Sequence, residues 1–407
     1  MNLIGNNQSV PTGGTTGSAD LKPTLFFLSL CKSIIKFYQI QTPFHFAKTP
    51  FHLSRTPFCF RKSAFYFHHI LQGQKKMAIF AKQKQKSDNS IPSYMKIVAV
   101  EPMGISSERA EELARKYEKK GCELIVFPDR KEDEATLVER MQGAEVVMVS
   151  NIPLGRNVLE KCPDLKFLDV AFTGLDHIDQ DYCTQRGIQI RNASGYATQA
   201  VAELAVGMML DVYRKMTPFD AATRSLQGRN NILGRELCGK TVGIVGTGAI
   251  GLRTAQLLKV FGCHIIAYSR SQRQEAIDMG IEYTSLEEVM KCSDIISLHT
   301  PLTKQTKGLI SSEMLALCKP SAIVVNTSRG GVIDNKALAD CLNQGRIAAA
   351  AIDVYDTEPP LKADNPLLTA KNTLLLPHIA FATRESFDIR IDIILRNLDQ
   401  YIESKQR

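Results

Sequence analysis

From residue 95 onward, short apolar runs rich in β-branched residues alternate with stretches of helical periodicity. The runs at 97–100, 124–127, 146–150, 167–171 and 188–191 read as buried strands, with helices over 107–119 and 133–141 between them. A longer helix is predicted over 197–215, with apolar residues at Val201, Leu204, Ala205, Met208 and Met209. A second alternating set follows. Its strands fall at 241–245, 264–268, 295–298, 323–326, 348–352 and 374–376. Its helices fall at 249–261, 286–291, 312–317 and 335–343, and a last helix covers 386–403. Such alternation predicts an α/β protein of two doubly wound parallel sheets joined by crossover helices.

The first 94 residues read differently. Residues 5–19 are rich in Gly, Asn, Ser and Thr, a flexible composition. A seven-residue repeat begins at Thr42, Thr49 and Thr56, and the Pro in each unit stops both helix and central strand. This stretch has 12 Lys and Arg against two acids, whereas residues 95–407 have 38 basic and 40 acidic residues. The body of the chain is therefore near neutral, and its charge gives no reason to expect nucleic acid as a partner. Two readings of 1–94 stand. One is a disordered, low-complexity extension ahead of a domain that starts naturally at Met95. The other is a transit peptide to an organelle.

No run of about 18 apolar residues occurs, so no membrane partner is expected. The eight Cys after residue 94 are scattered, without Cys-x-x-Cys or paired His spacing. Neither metal site nor disulfide framework is signalled, and reduced thiols in a cytoplasmic setting are expected.

The sharpest local signal is Gly246-Thr247-Gly248-Ala249-Ile250-Gly251. Gly-x-Gly-x-x-Gly alone is weak, but here it directly follows a predicted strand and opens a predicted helix, the context of a dinucleotide fingerprint. Gly246 permits the tight turn, Gly248 lets a pyrophosphate approach, and Gly251 lets helix and strand pack closely. The N–H groups of Ala249 and Ile250 would hold the phosphates. The next strand ends at Ser269, where an acid would bind the ribose 2′-hydroxyl of NAD, and Arg270 follows. With no carboxylate to repel a 2′-phosphate and a guanidinium to meet it, the cofactor reads as NADP or NAD, NADP favoured.

Ligands in such sheets lie at the carboxyl ends of the strands. Three chemically telling groups follow three predicted strands: Arg329 after 323–326, Asp353 and Glu358 after 348–352, and His378 after 374–376. Hydride transfer to a carbonyl needs these types. An imidazolium gives a proton to the oxygen, a carboxylate beside it raises its pKa, and an Arg binds a carboxylate and polarises the carbonyl.

These motifs, Gly246 to Gly251, Asn326 to Gly331, Asp353 to Pro359, and Pro377-His378, resemble the D-isomer-specific 2-hydroxyacid dehydrogenases over about 95–407. The resemblance implies that Arg329, Glu358 and His378 are catalytic, and that Asp353 contacts the nicotinamide. It likens 298–301, with Thr300 and Pro301, to the adenine-side loop, and Thr327 joins the cofactor-binding set. The stretch 197–203 is similar to the family's helix between domains.

It further implies a flavodoxin-like, discontinuous substrate domain of 95–194 completed by 384–407, with a Rossmann cofactor domain over 195–383. Backbone N–H groups around Asn151, Thr173 and Gly174 would hold the substrate carboxylate. A homodimer through the cofactor domain is implied, with the 216–237 arm contributing. The expected reaction is reduction of a small 2-oxo acid, such as glyoxylate, hydroxypyruvate or a bulkier analogue, to a D-2-hydroxy acid. The alternative is a dinucleotide-sensing binding protein resembling the C-terminal-binding corepressors. Formate dehydrogenase is disfavoured, because that branch has Gln in place of Glu beside the His.

Overall fold

The computed structural model describes residues 94–357 and 361–406. The extension expected over 1–94 lies, apart from Tyr94, outside them.

Strands β1 (Met95–Ala99), β2 (Cys122–Val126), β3 (Val146–Val149), β4 (Phe167–Val170) and β5 (Gln189–Asn192) form one sheet in the order β2-β1-β3-β4-β5, all parallel. Between them run α1 (Ser107–Glu118), α2 (Glu134–Met141), α3 (Arg156–Leu159) and α4 (Gln180–Arg186). Helices α5 (Thr198–Arg214) and α6 (Met216–Arg224) lead to a second sheet. It comprises β6 (Thr241–Val245), β7 (His264–Tyr268), β8 (Glu282–Tyr283), β9 (Ile295–Leu298), β10 (Ile323–Asn326), β11 (Ala349–Ile352) and β12 (Thr373–Leu375). Its order is β12-β11-β10-β9-β6-β7-β8, again parallel throughout. Helices α7 (Ala249–Val260), α8 (Gln274–Asp278), α9 (Leu286–Cys292), α10 (Ser312–Ala316) and α11 (Asn335–Asn343) cross over between the strands, and α12 (Arg384–Gln406) closes the chain.

Central strands such as Val-Val-Met-Val of β3 and Ile-Val-Val-Asn of β10 are buried at every position. That is why they read as continuous apolar runs: helices cover both faces of a parallel sheet. Strand β8 and helices α3, α4, α6 and α8 are not among the predicted elements; at two residues β8 carries no period at all.

The last helix returns to the first sheet. Ile394, Leu398, Tyr401 and Ile402 enter its core, and the Tyr401 ring stacks on Phe167 with centroids 4.4 Å apart. Asn397 donates to the buried Asp169 at 3.0 Å. Helix α5 belongs to both halves. Val201 packs in the first core, while Val206, Met208, Met209 and Val212 pack against the second sheet.

In each sheet the order reverses beside the first strand, between β1 and β3 and between β6 and β9. Such switch points open a crevice at the carboxyl ends, where ligands bind in this architecture.

Candidate active site

The strand-to-helix turn after β6 is built as the fingerprint requires. Gly246 has φ +99, and a Cβ on Gly251 would lie 2.0 Å from the Gly246 carbonyl oxygen, so only hydrogen fits there. Beside Gly248 the opposite holds: no atom lies within 4 Å of where a Cβ would sit. The first turn of α7 has no side-chain cap, which leaves its N–H groups to a ligand.

Two cavities, of about 470 and 420 Å³, meet at this turn and share Gly248, His299, Thr300, Pro301 and Thr303. The smaller runs past Gly246 to Ser269, Arg270 and Arg273, and no acid is among its lining residues. Tyr283 fixes this end. Its hydroxyl donates to Thr247 Oγ1 at 2.8 Å and accepts from the Arg273 N–H at 3.1 Å. Two buried polar atoms, His299 Nδ1 and Thr327 Oγ1, have no protein partner, and both residues line the larger cavity. Burial pushes the His299 imidazole down to about 4, so it is uncharged at neutral pH. An uncapped helix start, open space over a glycine, and unpartnered polar atoms along an elongated trough fit a dinucleotide.

The larger cavity is also lined by Ala249, Ile250, Thr173, Gly174, Thr327, Arg329 and His378. His378 follows β12 in the left-handed region, at φ +55. A non-glycine residue there costs energy and is tolerated where its surroundings fix it. Asp353, fully buried at the end of β11, supplies part of that fixing: its two carboxylate oxygens accept the N–H groups of Ile379 and Ala380, both at 2.9 Å. Phe172 and Phe381 stand edge-on to the imidazole, with centroids 6.2 and 5.3 Å away. Arg329 follows β10. The buried Asn326 braces its loop, donating to the Arg329 carbonyl at 3.0 Å and accepting from Ser328 N–H and Oγ.

Not every predicted residue arrives at the cavity. The N–H groups of Ser150, Asn151 and Ile152, expected to hold a substrate carboxylate, converge instead on Oε1 of Glu101 at 2.8, 3.2 and 3.4 Å. Glu101 is 3% exposed, and a carboxylate so buried must be hydrogen-bonded. The Asn151 side chain accepts from Arg130 and is not among the cavity's lining residues. Asp353 holds the loop after His378 and is not among the lining residues either. Glu358 lies outside the described residues.

One residue that faces the site was missed. Asp176, after β4, lines the cavity and pairs with Arg329. Like Arg329 and His378, Asp176 is a polar residue in the loop after a strand, six positions past the end of β4, and that position is its signal in the sequence.

Comparison with known proteins agrees with this geometry. Residues 206–380 match the family model described as D-isomer specific 2-hydroxyacid dehydrogenase, NAD binding domain. A hydroxypyruvate reductase of Blautia hydrogenotrophica is 33% identical over 280 residues, 67% of this chain and 86% of that one. A glyoxylate reductase of Thermococcus litoralis is 39% identical over 272 residues, 64% of this chain and 82% of that one. Among solved structures, an NADPH-dependent glyoxylate/hydroxypyruvate reductase of Sinorhizobium meliloti, in complex with NADP and malonate, superposes with a TM-score of 0.66 at 26% identity. That match covers 76% of this chain and 94% of the other. Two parallel sheets, a dinucleotide turn between them and relatives aligned over most of their length make this chain a member of the D-isomer-specific 2-hydroxyacid dehydrogenase family, nicotinamide-dependent oxidoreductases that interconvert 2-oxo and 2-hydroxy acids.

Proposed function

We propose that the chain reduces small 2-oxo acids of the glyoxylate and hydroxypyruvate class to D-2-hydroxy acids, with NADPH the preferred reductant. The observation that carries this reading is a cation and an imidazole, Arg329 and His378, on the wall of one cavity that also exposes the start of α7. The bound dinucleotide supplies the hydride. Arg329 pairs with the substrate carboxylate and polarises the adjacent carbonyl, and the N–H groups of Thr173 and Gly174 lie on the same wall to assist. His378 gives its proton to the carbonyl oxygen as the carbon is reduced, which yields the hydroxyl. Glu358 is assigned the carboxylate that fixes the tautomer and orientation of the His378 ring. The aromatic rings of Phe172, Tyr196 and Phe381 give this end an apolar wall.

The preference for NADPH rests on Arg270 and Arg273 beside Ser269, in a cavity whose lining holds no acid. The substrate-binding half is read as 95–194 with 384–407, and the cofactor half as 195–383. The arm over 216–237 exposes Leu226, Ile232 and Leu233, apolar surface that suits burial against a second copy in a homodimer. Eight free thiols among the described residues fit a reducing cytoplasm. Among the described residues no helix is long and apolar enough to cross a membrane.

A steady-state panel of glyoxylate, hydroxypyruvate, pyruvate and branched 2-oxo acids with each reduced cofactor tests the reading. Turnover is expected with the first two and NADPH. Loss of NADPH absorbance with none of them would overturn it.

A further inference from the structure

If Arg329 is to grip a carboxylate, its five hydrogens must be presented in a fixed plane. The structure divides them. Nε donates to Asp176 Oδ1 at 3.1 Å and Oδ2 at 3.3 Å, and Nη2 lies 3.1 Å from Oδ1. Nη1 donates to the Ser328 carbonyl at 2.8 Å. Nε is thus satisfied and Nη2 is ion-paired along the side edge, and each Nη keeps at least one hydrogen for a carboxylate.

The partner comes from across the cleft: Asp176 follows β4 of the first sheet and Arg329 follows β10 of the second. The same loop shapes the space around the guanidinium. A Cβ on Gly174 would lie 1.8 Å from Arg329 Nη2, and the Phe172 ring centroid is 5.7 Å from the guanidinium carbon. Gly174 thus leaves room for the Arg, Phe172 flanks it, and Asp176 takes its side edge.

We propose that Asp176 is a positioning residue for the reaction, holding the Nε/Nη2 edge of Arg329 so that its end-on edge meets the substrate carboxylate. This rests on the reading of Arg329 as the carboxylate-binding residue. A carboxylate placed near an anionic substrate works against binding by simple charge, so its presence needs a return, and the fixed orientation of the fork supplies it. The opposite role is also chemically possible: Asp176 could occupy Arg329 in the substrate's stead and have to be displaced. The two roles give opposite signs.

The test is the KM for glyoxylate and hydroxypyruvate at saturating NADPH in Asp176→Ala and Asp176→Asn, with NADPH affinity followed by fluorescence. As a positioning residue, Asp176→Ala raises KM about tenfold or more, the scale of a lost hydrogen bond to a charged group. Asp176→Asn, which keeps an acceptor for Nε, recovers part of that, and NADPH affinity stays within twofold in both. In an Arg329→Lys background, Asp176→Ala adds less than twofold, because the residue acts through the fork. A KM that is unchanged or lower in Asp176→Ala overturns the proposal, as does a full additional loss in the Arg329→Lys background. Should the Ala variant fail to fold, the Asn variant decides by the same KM criterion. A normal KM in Arg329→Lys alone would instead overturn the reading of Arg329.

Discussion

At the scale of single residues, the site depends on side chains held by neighbours that do no chemistry. His378 sits in a left-handed conformation, and Asp353 clamps the two peptides after it. With His378 in its proposed role of proton donor, His378→Ala is expected to lower kcat about 100- to 10,000-fold. Dinucleotide affinity should stay near wild type, since the Gly246–Gly251 turn is untouched; a variant within threefold of wild-type turnover would remove His378 from the chemistry. For cofactor choice, Ser269→Asp with Arg270→Ala should reverse the proposed preference for NADPH over NADH by about ten- to a hundredfold in affinity, leaving kcat at saturation largely intact. Wild-type protein that already favours NADH tenfold would demote Arg270 to a surface residue. Arg329 and His378 were legible in the sequence because each ends a strand whose apolar run is unmistakable. Two physical reasons hid the rest. The destination of the 150–152 N–H groups depends on Glu101, about 50 positions upstream. The acceptance of the Ile379 and Ala380 N–H groups by Asp353 spans 26 and 27 positions and leaves no local signal.

Between elements, the spacing of the loops after β10 and β11 sets where Arg329 stands. A Cβ on Gly330 would lie 2.0 Å from the Tyr355 carbonyl carbon and 2.2 Å from its oxygen. These are backbone atoms, which cannot rotate aside. Gly330→Ala must therefore push the two loops apart and move Arg329 with them. The expected outcome is a loss of about 2–4 kcal/mol in stability, read as a lower Tm, together with a raised KM for the 2-oxo acid. A variant with wild-type Tm and KM would mean that the loops yield at little cost. Legibility followed length here. The strands expected at 241–245, 264–268, 295–298 and 323–326 coincide with β6, β7, β9 and β10 residue for residue. Strand β8, two residues long, left no trace in the pattern, although its Tyr283 ties the turn at Thr247 to the loop at Arg273.

Over the whole molecule, the alternation of strand and helix was enough to give two parallel sheets, because buried strands and covering helices leave different periods in the chain. The return of the last helix to the first sheet came from family resemblance and has no local signal. That contact carries a pH dependence. Asp169 in β4 is fully buried, with Asn397 of α12 on one oxygen and no protein partner on the other. Burial pushes its carboxyl up from 3.8 to about 8. The folded chain thus binds this proton more tightly than the unfolded one. The stabilisation is full below about pH 4 and is lost as the pH rises through about 8. Asp169→Asn, neutral at every pH and still an acceptor for Asn397, should match wild type near pH 4 and exceed its Tm by several degrees at pH 8.5. Parallel Tm curves for the two proteins across that range would contradict the shift.

Helix α5 brings a mechanical consequence. It is 17 residues long, roughly 25 Å, with its start seated in one core and its remaining turns in the other. A rod packed into both cores this way works as a dowel: turning either half about it, or sliding along it, would strip buried side chains from one core or the other, so the helix pins the cleft at a fixed width on its side.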